Sequence, residues 1–216
     1  MKKTCLIFDF DGTIADSTDI AYQVYETLAY KYGFDKLTKE EINELQALSI
    51  QERLKRHKIS IFKLPRLARK TRKIVSDLLH KTYPFDGMSD LLSHLKAKGY
   101  TLTIVSSNSK QNIMEFMDMH DLPAFDLIKG KASFFGKERL IKKVIKKYPY
   151  HNHIYIGDEL RDIVSCQNVK VPIISVTWGF DDATLLEAAG PDCIVDTMEQ
   201  LESCITSFEH KGEVTR

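Results

Sequence analysis

The chain has 216 residues, 43% hydrophobic and 28% charged, with 31 Lys+Arg against 30 Asp+Glu and a net charge of +1. That length suits one core domain with a small insert, and the composition excludes a disordered tail, a collagen or a coiled coil. A balanced charge gives no global electrostatic reason to expect nucleic acid as a partner.

Met1-Lys2-Lys3 precedes an apolar run that Asp9 and Asp11 cut after five residues. A secretory signal needs about 7–15 apolar residues and a membrane helix about 18, so neither is expected here. The run Cys5–Phe10 reads as a buried strand ending in an Asp-Gly turn. Ile20, Val24, Leu28 and Tyr32 then recur every fourth position, which predicts a helix from about 16 to 32 that Gly33 stops. Thr38-Lys-Glu-Glu41 has the form of a capping box opening a second helix with Ile42 and Leu45 inward. Helical pattern follows over 51–57 and 65–79, and Tyr83–Gly87 reads as a loop.

Beyond that loop the rhythm alternates. Helices are predicted over 90–98, 110–120, 137–147 and 162–168. Strands are predicted over 101–105, 125–128, 153–156 and 171–176, the last holding Pro172 and therefore at or near a sheet edge. Alternating strands and helices predict an α/β fold with a parallel sheet and right-handed crossovers. The all-helical block interrupts this after the first strand and reads as an inserted cap. The expected division is a core of 1–15 and 84–216 with a helical cap of 16–83. The chain shows no internal repeat.

The chemistry-bearing residues fall at strand ends, where ligands bind in open α/β sheets. Asp9 and Asp11 lie two apart before Gly12. A carboxylate can attack phosphorus, and a second can shuttle the leaving group's proton. Taken alone, the pattern is equally a turn after a strand. Asp158 and Asp162 form a second acidic pair at the end of 153–156, and carboxylate oxygens suit a hard cation such as Mg²⁺. Ser107 and Asn108 follow the strand 101–105, where a hydroxyl and free N–H groups can cradle phosphate, though an ordinary loop looks the same. Lys137 opens a helix and could supply a fixed positive charge, with Lys131 as a competitor.

Asp9-x-Asp11-Gly12-Thr13, Ser107-Asn108, Lys137 and Gly157-Asp158-x-x-x-Asp162, in that order, resemble the haloacid dehalogenase superfamily of phosphohydrolases. The stretch FDFDGTIADST is most similar to its phosphoglycolate phosphatase and β-phosphoglucomutase-like branch. The resemblance implies a Rossmann-like core with a helical cap and an enzyme acting on phosphoric monoesters. It implies Asp9 as nucleophile and Asp11 as general acid and base. Ser107, Asn108 and Lys137 would hold the phosphoryl group. Mg²⁺ would be held by Asp9, the backbone carbonyl of Asp11 and Asp158, with Asp162 in support. The implied partner is a small phosphorylated metabolite, with no nucleic acid and no membrane. A phosphomutase, or a regulatory relative binding a partner through its cap, are the alternatives.

Other features carry less. Ten Lys or Arg and no acid lie between Arg53 and Lys73. They form either a solvated face or a positive lid, with Arg53 and Arg56 best placed to reach a substrate. Met114, Phe116, Met117 and Met119 are expected to pack a helix on the sheet. Trp178-Gly179-Phe180 reads as a hydrophobic anchor or the rim of the site, and His151 and His153 as surface. The four cysteines are spread without a CxxC pair, which predicts no disulfide framework, no zinc site and a reducing, cytoplasmic setting.

Overall fold

The computed structural model describes residues 3–20, 23, 38–48, 50–56, 78, 81–132, 136–149 and 151–214. Its centre is a six-stranded parallel sheet. In chain order the strands are β1 (Thr4–Phe8), β2 (Ala15–Asp16), β3 (Tyr83–Pro84), β4 (Thr101–Val105), β5 (Leu127–Lys129), β6 (Asn152–Gly157), β7 (Ile173–Val176) and β8 (Cys193–Val195). The main sheet runs β5-β4-β1-β6-β7-β8. The described helices are α1 (Lys39–Gln46), α2 (Ile50–Arg56), α3 (Met88–Ala97), α4 (Lys110–Met119), α5 (Lys137–Lys147), α6 (Leu160–Val169), α7 (Ala183–Ala189) and α8 (Met198–Val214).

All five residues of β1 are buried. Because successive side chains point to opposite faces, Leu6 and Phe8 join a core with Leu102, Ile104, Ile156 and the inner faces of α3, α4 and α8. Cys5 and Ile7 join a second core with Tyr155, Ile141, Val144 and Ile163 under α5 and α6. A strand buried on both faces has a continuous apolar sequence, which is how Cys5–Phe10 was legible.

Several expectations need adjustment. Tyr83–Pro84 is not only a loop, because it pairs antiparallel with Ala15–Asp16. The strand expected from 171 begins at Ile173, after Pro172, and lies near the sheet edge as expected, with only β8 outside it. Of the four residues expected to pack inward, Phe116 and Met117 do so, while Met114 and Met119 are exposed. His151 and His153 are half-buried rather than on the surface. Cys193 and Cys204 are joined as a disulfide between β8 and α8, a single bridge where the spread of the cysteines predicts no disulfide framework. Eleven residues apart in sequence, they meet because the chain reverses between strand and helix.

The capping box of α1 is present: Thr38 N–H donates to Glu41 Oε2 at 2.8 Å, and Glu41 N–H to Thr38 Oγ1 at 3.2 Å. Residues 18–20 and 23 are helical and Ile20 is buried, while Val24, Leu28, Tyr32 and Gly33 lie outside the described residues. So does the expected helix 65–79, apart from Leu78. Among the described residues, no helix is long and apolar enough to cross a membrane.

Candidate active site

β1 sits between β4 and β6, so its carboxyl end is flanked by theirs. The strand delivers Asp9 to that edge, where Asp9 N–H still pairs with Ile156 O at 2.8 Å. The next residue, Phe10, turns its ring edge-on to Phe116 at 5.1 Å and pins the turn. Gly12 then adopts φ 78°, and a Cβ there would overlap the Asp158 carboxylate. Only glycine satisfies both demands.

Asp9, Lys137, Asp158 and Asp162 are almost wholly buried around this edge, each at most 2% exposed. Lys137 Nζ bonds both Asp9 and Asp162. Tyr155 OH donates to Asp162 at 3.1 Å. Asp158 accepts from Thr13 Oγ1 at 2.7 Å and from Phe180 N–H at 2.8 Å. Asp11, half-buried, points elsewhere: Asn108 Nδ2 lies 3.1 Å from both of its oxygens. Asn108 is itself fixed, its Oδ1 accepting from Ser109 N–H at 2.8 Å and Asn112 Nδ2 at 3.0 Å. Ser107 is half-buried between Ser106 and Asn108 in the turn from β4 to α4. Lys131 is exposed and brings no charge to Asp9.

The charges are unbalanced. Four carboxylates face Lys137 and the half-buried Arg161, which is also ion-paired with Glu159. Burial, then the Asp9 and Asp162 carboxylates, push Asp158 up to about 8. Burial, opposed by Lys137, holds Asp162 at about 6. Desolvation and Asp9 raise Asp11 to about 6. Burial disfavours the Lys137 ammonium, but Asp162 and Asp9 outweigh it and hold its pKa above the usual lysine value.

Asp9, Asp158 and Asp162 each offer a carboxylate oxygen, all within 4.8 Å of one another. An all-oxygen donor set with excess negative charge fits a hard divalent cation. The Asp11 carboxylate is outside this group.

The sequence singled out all seven of these positions: Asp9, Asp11, Ser107, Asn108, Lys137, Asp158 and Asp162. Thr13 stood in the first motif without a role of its own, and the sequence missed Tyr155, Arg161 and Asp181, the last of which accepts from Leu160 N–H at 2.7 Å at the start of α6. Arg161 carried a signal, being a cation inside an acidic motif at a helix start. The others gave none, because their relevance lies in contacts made across the chain. Arg53 and Arg56 do not project freely toward a substrate: Arg53 pairs with Asp181, and Arg56 with exposed Glu44 at 2.6 Å. Apart from these two and Lys55, the basic run lies outside the described residues.

A family model for haloacid dehalogenase-like hydrolases matches residues 6–176. A phosphoglycolate phosphatase from Synechococcus elongatus is 30% identical over 206 residues, covering 94% of this chain and 97% of that protein. The pyrophosphatase PpaX of Oceanobacillus iheyensis is 22% identical, covering 93% and 96%. Among solved structures, a haloacid dehalogenase-like family protein from Streptococcus pneumoniae superposes with a TM-score of 0.77 at 19% identity, covering 94% of this chain and 98% of that one. With its fold shared by that structure and most of its length matched by the family model, the chain belongs to the haloacid dehalogenase-like hydrolases, on their phosphatase side.

Proposed function

We propose that the chain is a Mg²⁺-dependent phosphatase that hydrolyses a small phosphorylated metabolite, phosphoglycolate being the first candidate, through an aspartyl-phosphate on Asp9. The observation that carries this is the convergence of Asp9, Lys137, Asp158 and Asp162 at the carboxyl edge of β1 and β6. The 30% identity to a protein named phosphoglycolate phosphatase supports the substrate. Residues 16–83 form the helical cap over a core of 1–15 and 84–216, a division supported by the pairing of Ala15–Asp16 with Tyr83–Pro84, which brings both connections side by side. A cytoplasmic setting, in which the Cys193–Cys204 pair would be held reduced, completes this reading.

A carboxylate oxygen of Asp9 attacks phosphorus, the ester P–O bond breaks, and Asp11 gives its proton to the departing oxygen. Asp11 raised to about 6 retains a usable fraction of the acid near neutrality. A water then attacks the phosphorus, giving its proton to Asp11 while the bond to Asp9 breaks. Lys137 holds the phosphoryl oxygens and Asp9 together, and Ser107 with Asn108 orients the remaining oxygens. Mg²⁺, held by Asp9, the Asp11 carbonyl and Asp158 with Asp162 in support, would neutralise charge on the transferring group.

The test is phosphate release from a panel of phosphorylated metabolites, with and without Mg²⁺, by wild type and Asp9→Asn. Release by wild type that needs Mg²⁺ and vanishes in a folded Asp9→Asn protein is expected. Undiminished release by that variant would refute the nucleophile. A phosphorylated isomer in place of free phosphate would identify a mutase.

A further inference from the structure

The loop 178–182 follows β7 and touches two parts of the molecule. On its inner side Phe180 N–H donates to Asp158 Oδ2 at 2.8 Å, and Gly179 lies so close to Asp158 that a Cβ would overlap it. Asp181, 5% exposed, accepts from Leu160 N–H at 2.7 Å, at the start of the helix that carries Asp162. On its outer side Asp181 is ion-paired with Arg53 of α2.

Arg53 makes further contacts there. Its Nε donates to Leu45 O at 2.6 Å and its Nη2 to Gln46 O at 3.2 Å. These are end-of-helix carbonyls of α1, left free by the helix ladder, and Leu45 O also accepts from Leu48 N–H at 3.1 Å. Asp182 N–H donates to the same Gln46 carbonyl at 3.2 Å. The guanidinium also lies 5.0 Å over the Phe180 ring. A nearly buried carboxylate is costly without a charged partner, and Arg53 of α2 supplies that partner to Asp181.

We propose that Asp181 is a positioning residue: by pairing with Arg53 it locks α1 and α2 onto the loop that orients Asp158, so docking of these helices and alignment of Asp158 are one event. Only the kinetic arm of its test rests on the phosphatase reading. A substrate that favours the docked arrangement thereby completes its own site.

The test uses the full chain carrying Arg53→Ala, Asp181→Asn, both together, or Arg53→Lys. Asp181→Asn keeps an acceptor for Leu160 N–H but loses the charge. The readouts are amide hydrogen exchange over 159–163 and steady-state phosphatase kinetics with Mg²⁺. Each single change is expected to speed exchange there about tenfold and to lower kcat more than it raises KM, while the double variant is no worse than either, as expected for coupled partners. Arg53→Lys should recover part of the loss. Exchange within about twofold of wild type in Arg53→Ala, effects that add in the double variant, or a lowered Tm with unchanged kcat would each overturn the proposal. Should Asp181→Asn fail to fold, Arg53→Ala and its lysine rescue decide it. A wild type that releases no phosphate refutes the phosphatase reading, while the exchange measurement still tests the lock.

Discussion

Lys137 occupies a position that few lysines take, 2% exposed between two carboxylates. A buried ammonium survives only with such partners. Lys137→Ala is therefore expected to lower kcat/KM by about 10²–10³, the usual effect of removing one contact to developing charge. Lys131→Ala should change it by less than about threefold, as is usual for an exposed side chain. Parallel kinetics on the two variants check the ranking, and the reverse order would hand the role to Lys131. The carboxylates were legible in the sequence because each pair follows an apolar strand, which fixes where it must emerge. The lysine was not separable from its neighbour by pattern, since a surface lysine and a buried one have the same letter. Asp181 was invisible because its partner Arg53 lies 128 positions earlier.

The elements that hold the site are ordinary packing made precise. Phe10 stands between the two acids of the first motif, and its ring is held edge-on by Phe116 of α4. Phe116→Ala should cost about 3–5 kcal/mol, since it empties a fully buried site under the catalytic turn. Phe116→Leu should cost less, and urea unfolding of both variants measures the difference. The strands β1, β4, β6 and β7 could be read from continuous apolar runs rich in branched residues. The three-residue β5 was read too, within the apolar stretch 125–128, whereas β2, β3 and β8 were not, because their pairing is set by the rest of the fold. The helix 110–119 misled in part: its spacing placed Met114 and Met119 inward, yet the sheet engages only the face of Ile113, Phe116 and Met117.

The whole molecule carries the imbalance of its site as a dependence on pH. Asp11, Asp158 and Asp162 all have folded pKa values above the ordinary carboxylate value, so the folded state holds protons that the unfolded chain has released. Stability therefore falls as pH rises, from about 4 through the folded values near 6 and 8. In EDTA, Tm should drop by several degrees between pH 5 and pH 8, given about 2–4 °C per kcal/mol for a chain of this size. Mg²⁺ should restore more at pH 8 than at pH 5, and Asp158→Asn should flatten the slope. Scanning calorimetry over that range checks it, and a Tm that climbs with pH in EDTA would contradict the arrangement. The sheet order has one more consequence, for synthesis on the ribosome. β1 is made first yet lies at the centre, its neighbours being 101–105 and 152–157. A growing chain must carry that apolar strand unpaired until the first of these has emerged, and with one edge open until the second has. Only then do Asp9 and Asp158 meet, so a nascent chain lacks the assembled site and keeps an aggregation-prone open edge until 152–157 is made.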